Sequence, residues 1–222
     1  FVVLLGKGNH QITSSWTEPQ YGEVIQATLG ITFNNITFIG QGIGETTILG
    51  GIGIEQVQNI TLKQLTLTNT NGSGIRIHGA VVELVDVFTV NCSSHGVLCV
   101  HGSIQSQLVA TRCEMSNNGA SGLTINSNNN ICPNVCLKNC ISHHNSTNGI
   151  YVSGKGVVNI HGDSTAIHSN ETTGIFASIS GKVLIHLPSH HNTTYNNGRE
   201  DRHASIGGTI TNVEEQRRRH LN

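Results

Sequence analysis

Charge and aromatic rings are both scarce in this chain. Of 222 residues, 11% are Asp, Glu, Lys or Arg, 4% are Phe, Trp or Tyr, and three are proline. A disordered chain would carry more charge and fewer Ile, Val and Leu. A helical one would be richer in Ala, Glu, Lys and Leu. A formal net charge of −1 supplies no field to steer the protein to nucleic acid or an anionic membrane. The one basic run, Arg217-Arg218-Arg219-His220, reads as a solvated tail. The longest apolar run near the start, Phe1 to Leu5, is far too short to cross a bilayer. Neither nucleic acid nor membrane insertion is therefore expected. A first residue of Phe rather than Met is compatible with a processed or trimmed form, and leaves the compartment open.

What is abundant points to strands. There are 26 glycines, many Asn, Ser and Thr, and many β-branched apolar residues, the composition of short strands joined by tight turns. A Gly followed by an alternating apolar stretch recurs at Gly74, Gly96, Gly122, Gly149 and Gly174, in steps of 22, 26, 27 and 25 residues. A second alternating stretch follows each, such as VVELVDV, SQLVATRC, NVCLKNC, VVNIHG and KVLIHL. A repeat of this length without helical period predicts a solenoid of stacked coils. Alternation then sends Ile75, Ile77, Val158 and Ile160 inward and Arg76 and Asn159 outward.

An Asn falls four to six residues before each Gly, at Asn69, Asn91, Asn117, Asn145, Asn170 and Asn192, and predicts a ladder of stacked amides. The fold class expected is all-β, a right-handed parallel β-helix of roughly eight coils. One domain is expected over 1–202, with 1–31 an irregular first coil around SSWTEPQYGE. Residues 203–222 read as a cap and polar tail that cover an open sheet edge.

The coil pattern resembles the right-handed β-helix repeat proteins of the pectin-lyase-like superfamily. The stretches NNITFIGQGIGETTILGG, AIHSNETTGIFA and KVLIHLPSHHNTTYNNGREDR are most similar to β-helix repeat proteins of marine microalgae and large DNA viruses. That resemblance spans about residues 32–212. It implies the fold and brings no catalytic signature with it. The HG pairs at His78, His101 and His161 lack the clustered aspartates of pectin-degrading hydrolases, and the Asp-Pro-His type of motif of mannuronan epimerases is missing.

Histidine is the most informative enrichment, with 13 in the chain. His161 and His186 are coil equivalents, and the projected outward column runs Asp86, Thr111, Lys138, His161, His186. Such a row suits acid/base chemistry or a uronate-rich polymer. His143, His144, His168, His190 and His191 form a second group beside the Asn ladder. If the protein is an enzyme, His161, His186 and Lys138 are the candidate acid/base groups, with Arg199 or Arg202 to hold a carboxylate. The group Arg199 to His203 also reads as a cap tied by salt bridges.

Asp86 and the two SGK turns, Lys155 and Lys182, are the candidate carbohydrate contacts. Cys113 and Cys140, 27 residues apart, should stack at a spacing compatible with a disulfide or simply as small hydrophobes. The spacing Cys132, Cys136, Cys140 would point in different directions on a strand, so no metal is expected, and no cofactor. Seven Asn-x-Ser/Thr sequons, at Asn35, Asn59, Asn71, Asn91, Asn145, Asn170 and Asn192, include ladder positions that face inward and cannot carry a glycan.

The leading expectation is a non-enzymatic structural, adhesion or glycan-recognition solenoid, extracellular, on a cell surface or in a virion. Its partners would be a polysaccharide or, through the solenoid edges, another copy. The alternative is a polysaccharide lyase or epimerase acting on uronates. Ice binding ranks last, because the threonine rows do not persist.

Overall fold

A computed structural model describes residues 1–18, 22–100, 102–127, 131–188 and 190–213. Those residues hold strands and turns and no helix. Three faces follow one another along the chain, here called A, B and C. The A face stacks Thr28–Ile31, Gly51–Glu55, Ile75–His78, Val97–Val100, Leu123–Asn126, Ile150–Ser153, Thr173–Ser178 and Glu200–Ala204 in one eight-stranded parallel sheet.

The register pairs Ile52 with Ile75, Ile75 with Val97, Val97 with Leu123, Leu123 with Ile150 and Ile150 with Ile175. Eight stacked A strands enclose about seven turns, in line with the expected solenoid of roughly eight coils. The recurring Gly steps mark true coil lengths. Each A strand begins where Gly74, Gly96, Gly122, Gly149 or Gly174 lets the next coil approach: a Cβ on Gly149 would lie 2.4 Å from Ile167 and 2.8 Å from the Gly174 carbonyl.

The B and C faces form one larger sheet. Its early strands Ile60–Thr68 and Val81–Val90 run unbroken through the bend between the faces, with Gln64 and Asp86 in left-handed backbone at φ of 54° and 53°. Later coils split there into Gln107–Thr111 and Glu114–Ser116, Asn134–Lys138 and Ile141–His143, then Val157–His161 and Ala166–His168. Inward positions are filled by aliphatics. Ile52, Ile54, Ile75, Ile77, Leu123, Ile125, Ile150, Val152, Val158 and Ile160 are all essentially inaccessible. Each such side chain contributes roughly 1.5–3 kcal/mol, provided a neighbouring coil covers it. A single coil lacks that cover, which is why the sequence repeats.

The amide ladder exists at the corner from C to A, with its register corrected. Its members are Asn69, Asn118, Asn145, Asn170 and Asn197, whereas Asn91, Asn117 and Asn192 are not part of it. Asn91 and Asn117 sit one residue earlier, in left-handed backbone at φ of 53° and 54°, and point outward. Within the ladder, Asn118 donates to Asn145, Asn145 to Asn170 and Asn170 to Asn197, each at 2.9 Å. Asn197 ends the run on the Asp201 carboxylate at 2.8 Å. Cys92 occupies the rung between Asn69 and Asn118 and breaks it. The sequons at Asn145 and Asn170 are buried, as inward-facing rungs require.

At the start, Val2–Leu4 and Gly8–Gln11 already pair as B and C strands. The chain then leaves the coil as a strap containing the antiparallel pair Trp16–Thr17 and Val24–Ile25. Trp16 lies flat against the A face, where Gly30 and Gly53 leave room for its ring; a Cβ on Gly53 would sit 2.5 Å from Trp16 Cε3. At the other end, Glu200–Ala204 and Thr209–Asn212 continue the A and B sheets. Strand pairing therefore runs past residue 202, and the basic run at 217–220 lies outside the described residues.

Candidate functional site

On the B face, strict alternation decides which side chains reach solvent. Val158 and Ile160 are buried, so Asn159 and His161 point out. The register places Val85, Thr111, Lys138 and His161 in one column. His186 completes it: its backbone N–H donates to the Ile160 carbonyl at 2.8 Å, and its ring stacks on His161 at 4.2 Å and 9°. The His186 Nε2–H donates to Asn159 Oδ1 at 3.1 Å, while Asn159 Nδ2 donates to Asn134 at 3.3 Å. His161 is held below the ordinary imidazole range, by burial first, then by the nearby His186 and Lys138 charges.

Exposed Lys182 starts the next B strand of the same face. The five later B strands, QLVAT, NVCLK, VVNIH, KVLI and TITN, contain no carboxylate.

Asp86 does not belong to that column. Its left-handed backbone marks the bend, which shifts the alternation by one, and Val85 takes the expected place. The Asp86 carboxylate is instead clamped by Arg112, with Nε to Oδ1 and Nη2 to Oδ2 both at 2.7 Å.

The two SGK turns do not superpose either. Ser153 pairs with Ser178 and Val157 with Lys182, so Lys155 lies opposite Ser180. The motif repeats after 27 residues where the coil step is 25.

Arg202 stands opposite buried Ile175 and closes the last coil, with Nε on Thr194 Oγ1 at 3.0 Å and Nη1 on Asn212 Oδ1 at 2.8 Å. Burial lowers its pKa from the ordinary value. Arg199 is exposed at the corner from C to A, its N–H on the Thr172 carbonyl. The structure thus brings Lys138, His161 and His186 together, and leaves both arginines off that face.

A second group forms on the C face, where Ser116, His143, His168 and Tyr195 share a column. The His143 and His168 rings stack at 5.0 Å and 7°, and His168 stacks on Tyr195 at 4.8 Å and 7°. Glu114 Oε1 lies 3.2 Å from His143 Nε2 and accepts from Ser116 Oγ at 2.7 Å. His143 Nδ1 is 2.6 Å from His144 Nδ1. The His168 pKa is lowered, by burial first and then by His143 and His144.

A third group was not legible in the sequence. Beneath the strap, the wholly buried Glu18 meets His78 Nε2 at 2.6 Å and Arg76 Nη2 at 3.3 Å. Glu55 is buried beside them, with Oε2 lacking a hydrogen-bond partner, as does Arg76 Nε. Burial raises the pKa of both glutamates. Arg76 pulls Glu18 part of the way back, and the Glu18 charge pushes Glu55 further up. The signal available was the spacing of Glu55 and His78, which are coil equivalents. Their partner comes from the strap, which obeys no repeat. With Glu18 and His78 at 0% and 1% exposure, the cluster works as a latch for the strap rather than as an open site.

No family model matches the chain, and no curated protein matches it. Among solved structures it is similar to two modules of Azotobacter vinelandii. The mannuronan C-5 epimerase AlgE6 A-module is 12% identical with a TM-score of 0.38, and the AlgE4 A-module is 13% identical with a TM-score of 0.30. Each alignment covers 97% of this chain and 91% of the other. Similarity of that size carries no functional assignment, and the fold stands on its own strand register.

Proposed function

We propose that the protein is a non-enzymatic recognition solenoid that binds an acidic polysaccharide along the later coils of its B face, as an adhesion or surface component outside the cell or on a virion. The observation that carries this reading is the in-register column Lys138, His161, His186, with Lys182 on the same face and no carboxylate on its five later strands. Successive coils offer cationic or hydrogen-bonding groups about 4.8 Å apart. A linear polymer bearing carboxylates or sulfates can meet several at once. Each exposed ion pair contributes only about 0.2–1 kcal/mol, so affinity must come from many weak contacts made together. Protonation of His161 adds charge to the face, so binding should tighten as pH falls.

The runner-up is a lyase or epimerase acting on uronates. It is favoured by one observation, the hydrogen-bonded chain Glu114, His143, His144, in which a carboxylate orients one imidazole against another. Against it, a base and a carboxylate clamp must converge on one reacting centre, and Arg199 and Arg202 stand apart from the His161–His186 face.

The test incubates the protein with alginate, pectate and sulfated algal glycans, following binding, unsaturated-product absorbance and epimer ratio together. Binding that weakens with salt and with pH, and falls at least tenfold in a K138A/H161A/H186A variant, supports recognition. Turnover would overturn it in favour of the enzyme. Unaltered binding by that variant would remove the B face from the reading.

A further inference from the structure

We propose that Cys113 and Cys140 are a paired site of oxidation, closing a disulfide that bolts two consecutive coils together from the inside. The two residues sit in one inward column, Leu65, Val87, Cys113, Cys140, Thr165, fixed by the pairs Val87 with Leu65, Phe88 with Glu114, Glu114 with Ile141 and Ile141 with Ala166. Backbone bonds tie the same rungs: the Ile141 N–H donates to the Cys113 carbonyl at 2.9 Å, and the Ala166 N–H to that of Cys140 at 3.1 Å. Both cysteines follow a left-handed residue, Arg112 at 52° and Asn139 at 54°, so both turn into the core in the same way.

Stacked rungs of a parallel sheet lie about 4.8 Å apart, inside the Cα separation of about 4.4–6.8 Å that a disulfide spans. Both residues are almost fully buried. The neighbouring Cys140 thiol and burial together raise the Cys113 pKa, in keeping with their adjacent rungs in one inward column. The sulfurs also meet backbone carbonyls, Thr111 at 3.4 Å for Cys113, and Ala110 at 3.3 Å and Lys138 at 3.5 Å for Cys140.

Neighbouring cysteines are poorly placed to compete. Cys99 faces the core from the A side between Ile77 and Ile125. Cys92 occupies its rung at the corner from C to A. Cys136 points outward from the B face between Val109 and Asn159.

The oxidant is a small-molecule disulfide such as oxidised glutathione. One cysteine, as thiolate, attacks it, giving a mixed disulfide and one glutathione thiolate. The second cysteine then attacks the protein sulfur of that mixed disulfide and expels the other glutathione. The protein loses two electrons, and its two thiol protons end on the two glutathiones released. The Cys113 pKa is raised, whereas the Cys113 hydrogen bond lowers that of Cys140 against the effect of burial. Both sulfurs are shielded from a bulky oxidant in the folded chain, so the bond forms readily while the coils assemble and slowly afterwards.

The full chain is refolded with mixed oxidised and reduced glutathione, blocked with iodoacetamide and mapped by mass spectrometry. The expected result is one crosslinked species joining the peptides of Cys113 and Cys140. It should lack two hydrogens and both alkylations, and melt several degrees higher than the same sample after reductant. A C136S variant should behave identically. A C113V variant, which copies Val87 one rung below, should fold and lose both the crosslink and the reductant-sensitive shift. Alkylation of both Cys113 and Cys140 in the oxidised refolded protein, or a crosslink through Cys136 instead, would overturn the proposal.

Discussion

The first coils and the last solve the same packing problem by different means. Between Gly51 and Val97 the coil steps are 23 and 22 residues, and the B and C strands run together without a break. At the corner from C to A the Asn69 side chain bonds locally, donating to Ser73 and accepting from Asn71, its own loop neighbours. An amide pair, Asn59 to Asn35 at 2.8 Å, crosses coils elsewhere. From Val97 onward the steps lengthen to 26, 27 and 25, and the sheet splits at the bend. The added residues fall first between the A and B strands, Val97 to Leu108 and Leu123 to Val135, and then between Val158 and Asn170. Asn118 through Asn197 bond from coil to coil at a corner whose length does not change. Rings concentrate in the same half, as His143 with His168 and Tyr195, His161 with His186, and Tyr151 with Phe176. Short coils are held by aliphatic columns and a strap over one face. Long coils add a polar spine that apolar packing alone does not supply.

The largest expected difference follows from the spine. Asn145→Ala removes donors to Met115 and Asn170 and an acceptor for two Asn118 N–H groups, all buried. It should cost roughly 3 kcal/mol. Asn69→Ala, which strands only its own loop, should cost roughly 1 kcal/mol. Urea unfolding of the two variants would settle it, and equal losses would show that the ladder is no more than a set of turns.

A smaller effect tests the strap. Gly53→Val pushes a side chain into the Trp16 ring and should cost roughly 1–3 kcal/mol. Trp16 is the chain's one tryptophan, so emission should shift to the red if the strap lifts. Unchanged emission would mean that the ring is not seated on the glycines.

The smallest effect, and the sharpest, is in pH. Glu18 and Glu55 have pKa values raised above the ordinary 4.5, so the folded strap binds protons more strongly than the unfolded chain. Their contribution to stability is complete below 4.5 and is lost as pH rises through the raised values. Glu55→Gln should therefore stabilise the protein by about 1 kcal/mol at neutral pH, by relieving a buried unpaired oxygen, with the gain shrinking toward pH 4. His161 and His168 have pKa values lowered below the ordinary 6.5. Their contribution is present above 6.5 and is lost as pH falls through the lowered values. Hydrogen exchange resolved along the chain should show the last coils loosening first on acidification. The reverse order would contradict the division between the two halves.

Much of this architecture was written in the repeat. Ile75, Ile77, Val158 and Ile160 faced inward as alternation required, and the Lys138, His161, His186 column formed because its members come before the bend, where alternation still holds. The misplacements by a single residue share one physical cause. Alternation holds only while the backbone stays extended, and a left-handed residue at each bend shifts the pattern by one. Asp86 fell out of its column for that reason, and Asn91 and Asn117 fell off the ladder. Glu18 could not be placed at all, because its position depends on a strap that no neighbouring coil copies.

The Asn197 rung rests on Asp201, whose carboxylate accepts from both the backbone and the side chain of that asparagine and has no amide to pass onward. An asparagine hands its bond along, whereas an aspartate receives and stops. The ladder therefore carries a written last rung, and the polar spine has a direction as well as a length. Lengthening this protein would require adding a whole turn ahead of that terminator, with an asparagine to keep the relay running.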